Sequence, residues 1–149
     1  MNTIGTPNTI VKEITIKAPA ERIFAALTDP DQRLQWWGRA GRFKAVRVES
    51  DLRPGGAWMM SFDADGKSSA VRGAYRKIAP PRLLEFTWLP DWDETASETI
   101  VRFDIEEREG STTVRVTHSG LTTASRQRHQ GWPDLLLALR AYTENDHDA

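Results

Sequence analysis

Cysteine is absent from this sequence of 149 residues, which excludes disulfides, thiolate metal sites and a cysteine nucleophile. Net charge is nearly absent too, since 20 basic residues against 21 acidic ones leave a formal −1. No global field therefore draws the chain to nucleic acid or to an anionic membrane. No apolar run approaches the ~18 residues of a membrane span, and the opening MNTIGTPNT has neither a basic n-region nor an apolar h-region. These absences predict a soluble, cytoplasmic protein with no integral membrane association. Histidine is scarce: His118, His129 and His147 are the whole supply and show no metal-ligand spacing, so no metal site is expected. The run Asp63-Ala64-Asp65-Gly66 lacks the acidic residue that closes a calcium loop and reads as a hairpin turn. There is no nucleophile elbow, phosphate loop or dinucleotide fingerprint, and no cofactor is implied.

What the sequence does hold is tryptophan, six in one chain. Indoles are large and each carries one N–H to satisfy, so they imply a thick core or an aromatic-lined pocket. The length suits a single domain spanning 1–149, with an ordered core over about 10–143.

In chain order, residues 9–17 alternate as a strand, and AERIFAALT and DPDQRLQWW follow as two short helices. Asp29 is placed to cap the second, with Gln32 at capping-box spacing. From there to Ser119 the period changes to 2. Segments 43–52, 57–63, 69–78, 83–89, 97–108 and 111–118 read as strands, separated by turn residues such as Arg53-Pro54-Gly55-Gly56 and Glu109-Gly110.

One apolar face repeats from strand to strand: Trp58, Met60 and Phe62; Leu84, Phe86 and Trp88; Val101, Phe103 and Ile105; Val114, Val116 and His118. Glu85, Thr87, Arg102, Asp104, Glu106, Arg115 and Thr117 occupy the opposite face, which predicts a sheet wet on one side. The dry side is covered by the segment from Leu121 to Tyr142. At ~100° per residue it lines up Leu121, Ala124, Ser125, Arg128, Trp132, Leu135, Leu136, Leu139, Tyr142 and Thr143. The stripe is dry in its C-terminal half but carries Ser125 and Arg128 in its N-terminal half, as if one end closed a core and the other lined something wetter. Pro133, after Gly131, either kinks one long helix or starts a shorter one; the unbroken phase of the stripe favours the kink. The expected fold is α+β: an antiparallel sheet of about seven strands, two short helices after strand 1, and a long C-terminal helix packed across the dry face.

The runs IKAPAERIFAALTDPDQRLQWWG, LRPGGAWMMSFDADGK, VRGAYRKIAPPRLLEFTWLPD and VRFDIEEREGSTTVRVTHSGL, followed by HQGW, occur in an order that resembles the START-like (helix-grip) superfamily. Within it, the chain is similar to the family of the activator of heat-shock protein 90 ATPase, over about residues 10–143. The resemblance implies a helix-grip fold, in which a curved antiparallel sheet wraps its concave face around the long C-terminal helix with a cavity between them. The superfamily includes carriers of apolar molecules, hormone receptors, and polyketide cyclases or aromatases, with no shared catalytic residues, so fold alone gives no chemistry.

The candidate ligand-binding residues are Trp36, Trp37, Trp58, Met60, Phe62, Trp88, Phe103, His118, Arg128, Trp132 and Leu136, holding a small apolar or aromatic molecule for a carrier or sensor. Ordinary core packing is the alternative for each indole, a hydrogen-bonded structural role for His118, and snorkelling past the sheet edge for Arg128. No catalytic residue is assigned. An enzyme of cyclase, dehydratase or hydrolase type would need convergent polar groups, for which His118, Arg128 and Glu98 are the candidates. A third reading, implied by the resemblance, is a chaperone-associated stress-response module, with Leu137 on the far side of the helix as a contact. The residues themselves supply no evidence for a chaperone partner, and a homodimer is left open.

Overall fold

Strict alternation places the strands where the sequence predicts them, and the ends move by only a few residues. A computed structural model of the protein describes residues 8–39, 43–64, 66–92, 97–127 and 129–144. The order is β1 (Ile10–Ile16), α1 (Ala20–Thr28), α2 (Pro30–Trp36), β2 (Gly38–Arg39), β3 (Phe43–Ser50), β4 (Ala57–Ala64), β5 (Lys67–Ala79), β6 (Leu83–Pro90), β7 (Thr99–Arg108), β8 (Ser111–Ser119), α3 (Thr123–Gln127) and α4 (Trp132–Glu144). All strands join one curved antiparallel sheet in the order β1-β8-β7-β6-β5-β4-β3-β2. The two-residue β2 adds a short edge to the seven expected strands. At the β7–β8 hairpin, Glu109 and Gly110 both take positive φ, 52° and 83°, the turn geometry that matches the twist of paired strands.

Asp29 caps α2 as expected, its Oδ1 accepting from the Asp31 amide at 3.0 Å. The reciprocal half of the capping box is not made. Gln32 instead donates Nε2–H to the Asp29 carboxylate at 3.3 Å, because the Asp29 amide is already spent on the Ala25 carbonyl at the end of α1.

The inward faces assemble the core: Trp58, Met60 and Phe62 of β4, Val71 and Tyr75 of β5, Leu84, Phe86 and Trp88 of β6, Val101, Phe103 and Ile105 of β7, and Val114, Val116 and His118 of β8 are all buried. The expectation of a uniformly wet outer face needs correction at β6. Glu85 and Thr87 are 7% and 8% exposed, since β6 lies mid-sheet and long neighbouring side chains fold over it. Arg76 and Arg102 both reach the Glu85 carboxylate, and Thr87 Oγ1 accepts from the Ala74 amide at 2.8 Å.

The terminal segment is two helices, not one kinked helix. Pro133 is the second residue of α4, where a missing amide costs nothing, and the first bond of that helix runs from the Leu135 amide to the Gly131 carbonyl. Trp132, Leu135, Leu136, Leu139 and Thr143 form the buried side of α4, and at ~1.5–3 kcal/mol per large apolar side chain they fix it over the sheet. Its far end is tied by Arg22, which donates to the Thr143 carbonyl at 3.3 Å.

One buried cation holds α2 to the sheet. Arg33, 2% exposed, donates Nε–H to the Leu27 carbonyl at 2.5 Å and Nη2–H to the Tyr75 hydroxyl at 3.0 Å, with its guanidinium 5.8 Å from the centre of the Trp58 ring. Burial lowers its pKa, and the neighbouring Tyr75 opposes that shift.

Candidate functional site

A partly open pocket of about 290 Å³ lies at the N-terminal end of α4, the end at which the helical stripe loses its leucines. Its wall is built by Trp37 from the end of α2, Phe62 and Ala64 of β4, Ser69 of β5, Trp88 of β6, Trp92 beyond it, and His129, Gly131, Trp132 and Leu135 around the start of α4. Phe62 and Ser69 are directly paired across β4 and β5, so their side chains share the inward face.

The indoles form a connected set. Trp88 lies 5.6 Å from Trp132, 6.1 Å from Trp92 and 6.4 Å from Trp37 between ring centres, while Trp92 meets Phe62 edge-on at 6.0 Å. Behind them sits a hydrogen-bond network that fixes both histidine tautomers. An indole N–H can only donate. Trp132 donates to His118 Nδ1 at 3.2 Å, so that nitrogen carries no proton and His118 Nε2 donates to Thr99 Oγ1 at 2.8 Å. The Thr99 hydroxyl in turn donates to the Trp88 carbonyl at 3.2 Å. Likewise Trp88 donates to His129 Nε2 at 3.1 Å, leaving His129 Nδ1 to donate to the Ser125 carbonyl at 2.7 Å. That last bond pins the break between α3 and α4. The two imidazoles meet edge-to-face with ring centres 4.9 Å apart. Burial, and secondarily the charge His129 would carry, push the pKa of His118 down to about 3.

Of the candidates from the sequence, Trp37, Phe62, Trp88 and Trp132 come together in the pocket wall. Trp36, Trp58, Met60, Phe103 and Leu136 do not line it and belong to the packed core, and His118, 0% exposed, is buried without lining it. Trp36 spends its N–H on the Ala26 carbonyl at 2.9 Å, joining α2 to α1. Trp58 leans toward β5, where Gly73 opposite it leaves the space: a Cβ there would stand 2.7 Å from the Trp58 indole nitrogen and 1.9 Å from the Thr87 carbonyl oxygen. Phe103 packs edge-on against Trp132 at 6.1 Å. His118 has both ring nitrogens engaged, and Glu98 is exposed, so the convergent acid–base group weighed for an enzyme is not assembled from these two. Arg128 lies outside the described residues.

Trp92 and His129 are wall residues that the sequence reading missed. Trp92 stands in an acidic loop where no periodicity operates. Its one signal is an aromatic residue among aspartates, which has to fold back over something apolar. His129 breaks the helical stripe, and its signal is its position four residues after the buried Ser125 at a helix end. Among the described residues, no group of three His, Asp or Glu could hold a metal ion, and no helix is long and apolar enough to cross a membrane.

A family model described as Activator of Hsp90 ATPase homolog 1-like protein matches residues 17–144. Among solved structures, a protein from Chromobacterium violaceum is 28% identical with a TM-score of 0.85, covering 95% of this chain and 100% of its own. CalU16 from Micromonospora echinospora is 22% identical with a TM-score of 0.67 over 93% of this chain and 77% of that one. DynU16, of the dynemicin biosynthetic locus, is 20% identical with a TM-score of 0.74 over 93% of this chain and 48% of that one. Among curated proteins nothing matches.

Proposed function

The chain belongs to the Activator of Hsp90 ATPase homolog 1-like family, and from that premise we propose that it binds one small apolar or aromatic molecule between the sheet and α4, as a carrier or sensor. The observation that carries this reading is the pocket of about 290 Å³ walled by Trp37, Trp88, Trp92, Trp132 and Phe62. Apolar walls with few polar groups are what a small-molecule site requires. Its position suits the helix-grip arrangement, in which sheet and terminal helix enclose the ligand. Likeness to CalU16 and DynU16 extends to the fold.

The enzyme reading has less support. Both nitrogens of His118 and of His129 are engaged in the hydrogen bonds described above, and general acid–base catalysis needs a group that can reach substrate. A chaperone-associated role draws on the family's description and on Leu137, 47% exposed, yet single exposed leucines are ordinary on any surface.

The test is titration with the neutral dye N-phenylnaphthylamine. Saturable binding near one equivalent is expected, with quenching of tryptophan emission. Ala64→Phe, which fills the wall from β4, should abolish binding while urea unfolding stays cooperative. Absence of saturable binding to the folded wild-type protein refutes the proposal.

A further inference from the structure

The side-chain polar atoms of the described wall residues can be accounted for one by one. The N–H groups of Trp88 and Trp132 are spent on the two histidines, and the N–H of His129 on a carbonyl. Left over are the indole N–H groups of Trp37 and Trp92 and the hydroxyl of Ser69, for which no acceptor or donor is found among the described residues. Trp37 is the telling one. It is 3% exposed, so an idle N–H there is costly unless something in the pocket takes it up. Trp58 shows the contrast: its nitrogen is the one sealed from solvent without a partner among the described side chains. The Trp37 nitrogen is equally unpartnered but not sealed, and the open space Trp37 borders is the pocket.

We infer that the ligand is a neutral aromatic molecule bearing a carbonyl oxygen, an aryl ketone or quinone, received by the N–H of Trp37 with Trp92 and Ser69 as the flanking donors. This rests on the pocket being a ligand site. Indole N–H groups donate and never accept, so the wall discriminates in favour of acceptors. No described wall residue is Lys or Arg, and a carboxylate met only by neutral donors loses its hydration without a counter-charge, whereas a ketone loses little. A volume of about 290 Å³ equals roughly ten waters at ~30 Å³ each, the size of a fused pair of rings with a small substituent.

The experiment uses two probes of one shape, methyl naphthyl ketone and isopropenylnaphthalene, in which C=CH₂ replaces C=O. Their affinities are measured by tryptophan quenching on the wild type and on Trp37→Phe, Trp92→Phe and Ser69→Ala. The ratio of the two affinities cancels the ring volume lost on going from Trp to Phe. The ratio is expected to fall by roughly three- to tenfold in Trp37→Phe, and the infrared carbonyl stretch of the ketone bound to wild type should move to lower frequency. If Trp37→Phe does not fold, that infrared shift, with a fall in the ratio in Trp92→Phe or Ser69→Ala, supports the inference, and an unshifted carbonyl overturns it. If both probes bind and no variant changes the ratio, the donor assignment is wrong while the ligand site stands. If neither probe binds the wild type, the site itself fails and the inference with it.

Discussion

Acid should loosen this protein through His118, and the size of the effect follows from where that ring lies. In the folded chain its pKa is pushed down to about 3, against 6.5 for an unperturbed histidine, because burial disfavours the charged ring and, secondarily, His129 beside it opposes a second charge. The folded pKa is depressed, so the unfolded chain takes up the proton first. The stability attached to a neutral His118 is therefore fully present above pH 6.5 and is lost as pH falls from there toward about 3. Each pH unit in that window is worth ~1.36 kcal/mol per proton, so lowering the pH from 7 to 5 should remove about 2 kcal/mol from a total of the order of 5–15 kcal/mol. Urea unfolding at the two pH values, followed by tryptophan emission and compared at equal m, measures it. The control is His118→Asn, whose side-chain oxygen can accept from Trp132 in place of Nδ1 and does not titrate. The variant should be less stable at pH 7, since Thr99 loses its donor, but its loss between pH 7 and 5 should be about 2 kcal/mol smaller than that of the wild type. Equal pH dependence in the two proteins would refute the argument, because carboxylates and His129 are common to both.

Gly73→Ala should cost about 3 kcal/mol or more by thermal denaturation, since its Cβ would meet the Thr87 carbonyl oxygen at 1.9 Å and backbone atoms cannot step aside. Arg33→Met should be less damaging than Arg33→Lys in urea unfolding: methionine fills the site without a buried charge, whereas lysine keeps the charge and cannot reproduce the two-point contact to Leu27 and Tyr75. Thr112→Val, which removes the 2.6 Å donor to the Ala18 carbonyl, should cost about 1–2 kcal/mol, with no change in N-phenylnaphthylamine affinity because the site is remote from the pocket.

The strands and the two short helices were legible because each buries one face, and a buried face writes its period into the sequence. The terminal segment was misread for the same reason. Its stripe holds phase from Leu121 to Tyr142, yet the backbone leaves the helix after Gln127 and re-enters it at Trp132. Side chains on both pieces, Ser125 and Trp132 among them, are still buried, so the pattern could not register the break in the backbone. Closure of the break is local chemistry instead: Pro133 lacks the amide, and His129 donates to the Ser125 carbonyl in place of a helical N–H.

Which inward residues reach the pocket was beyond a period-2 argument. Alternation assigns a face but not a position along the curved sheet, so Trp58 and Phe62, four residues apart on one strand, looked equivalent. Register separates them. Phe62 pairs with Ser69 beside the pocket, whereas Trp58 pairs with Gly73 deeper in the core, and the glycine lets the indole settle there. The same holds for polar groups. His118 reads from the sequence as a candidate base, but the N–H groups of Trp88 and Trp132 make both His129 and His118 acceptors, and their other ring nitrogens are spent as donors. An indole wall that needs its histidines to cap its own N–H groups ties up their nitrogens in being built, and the N–H groups it leaves uncapped are the ones the proposed ligand would meet.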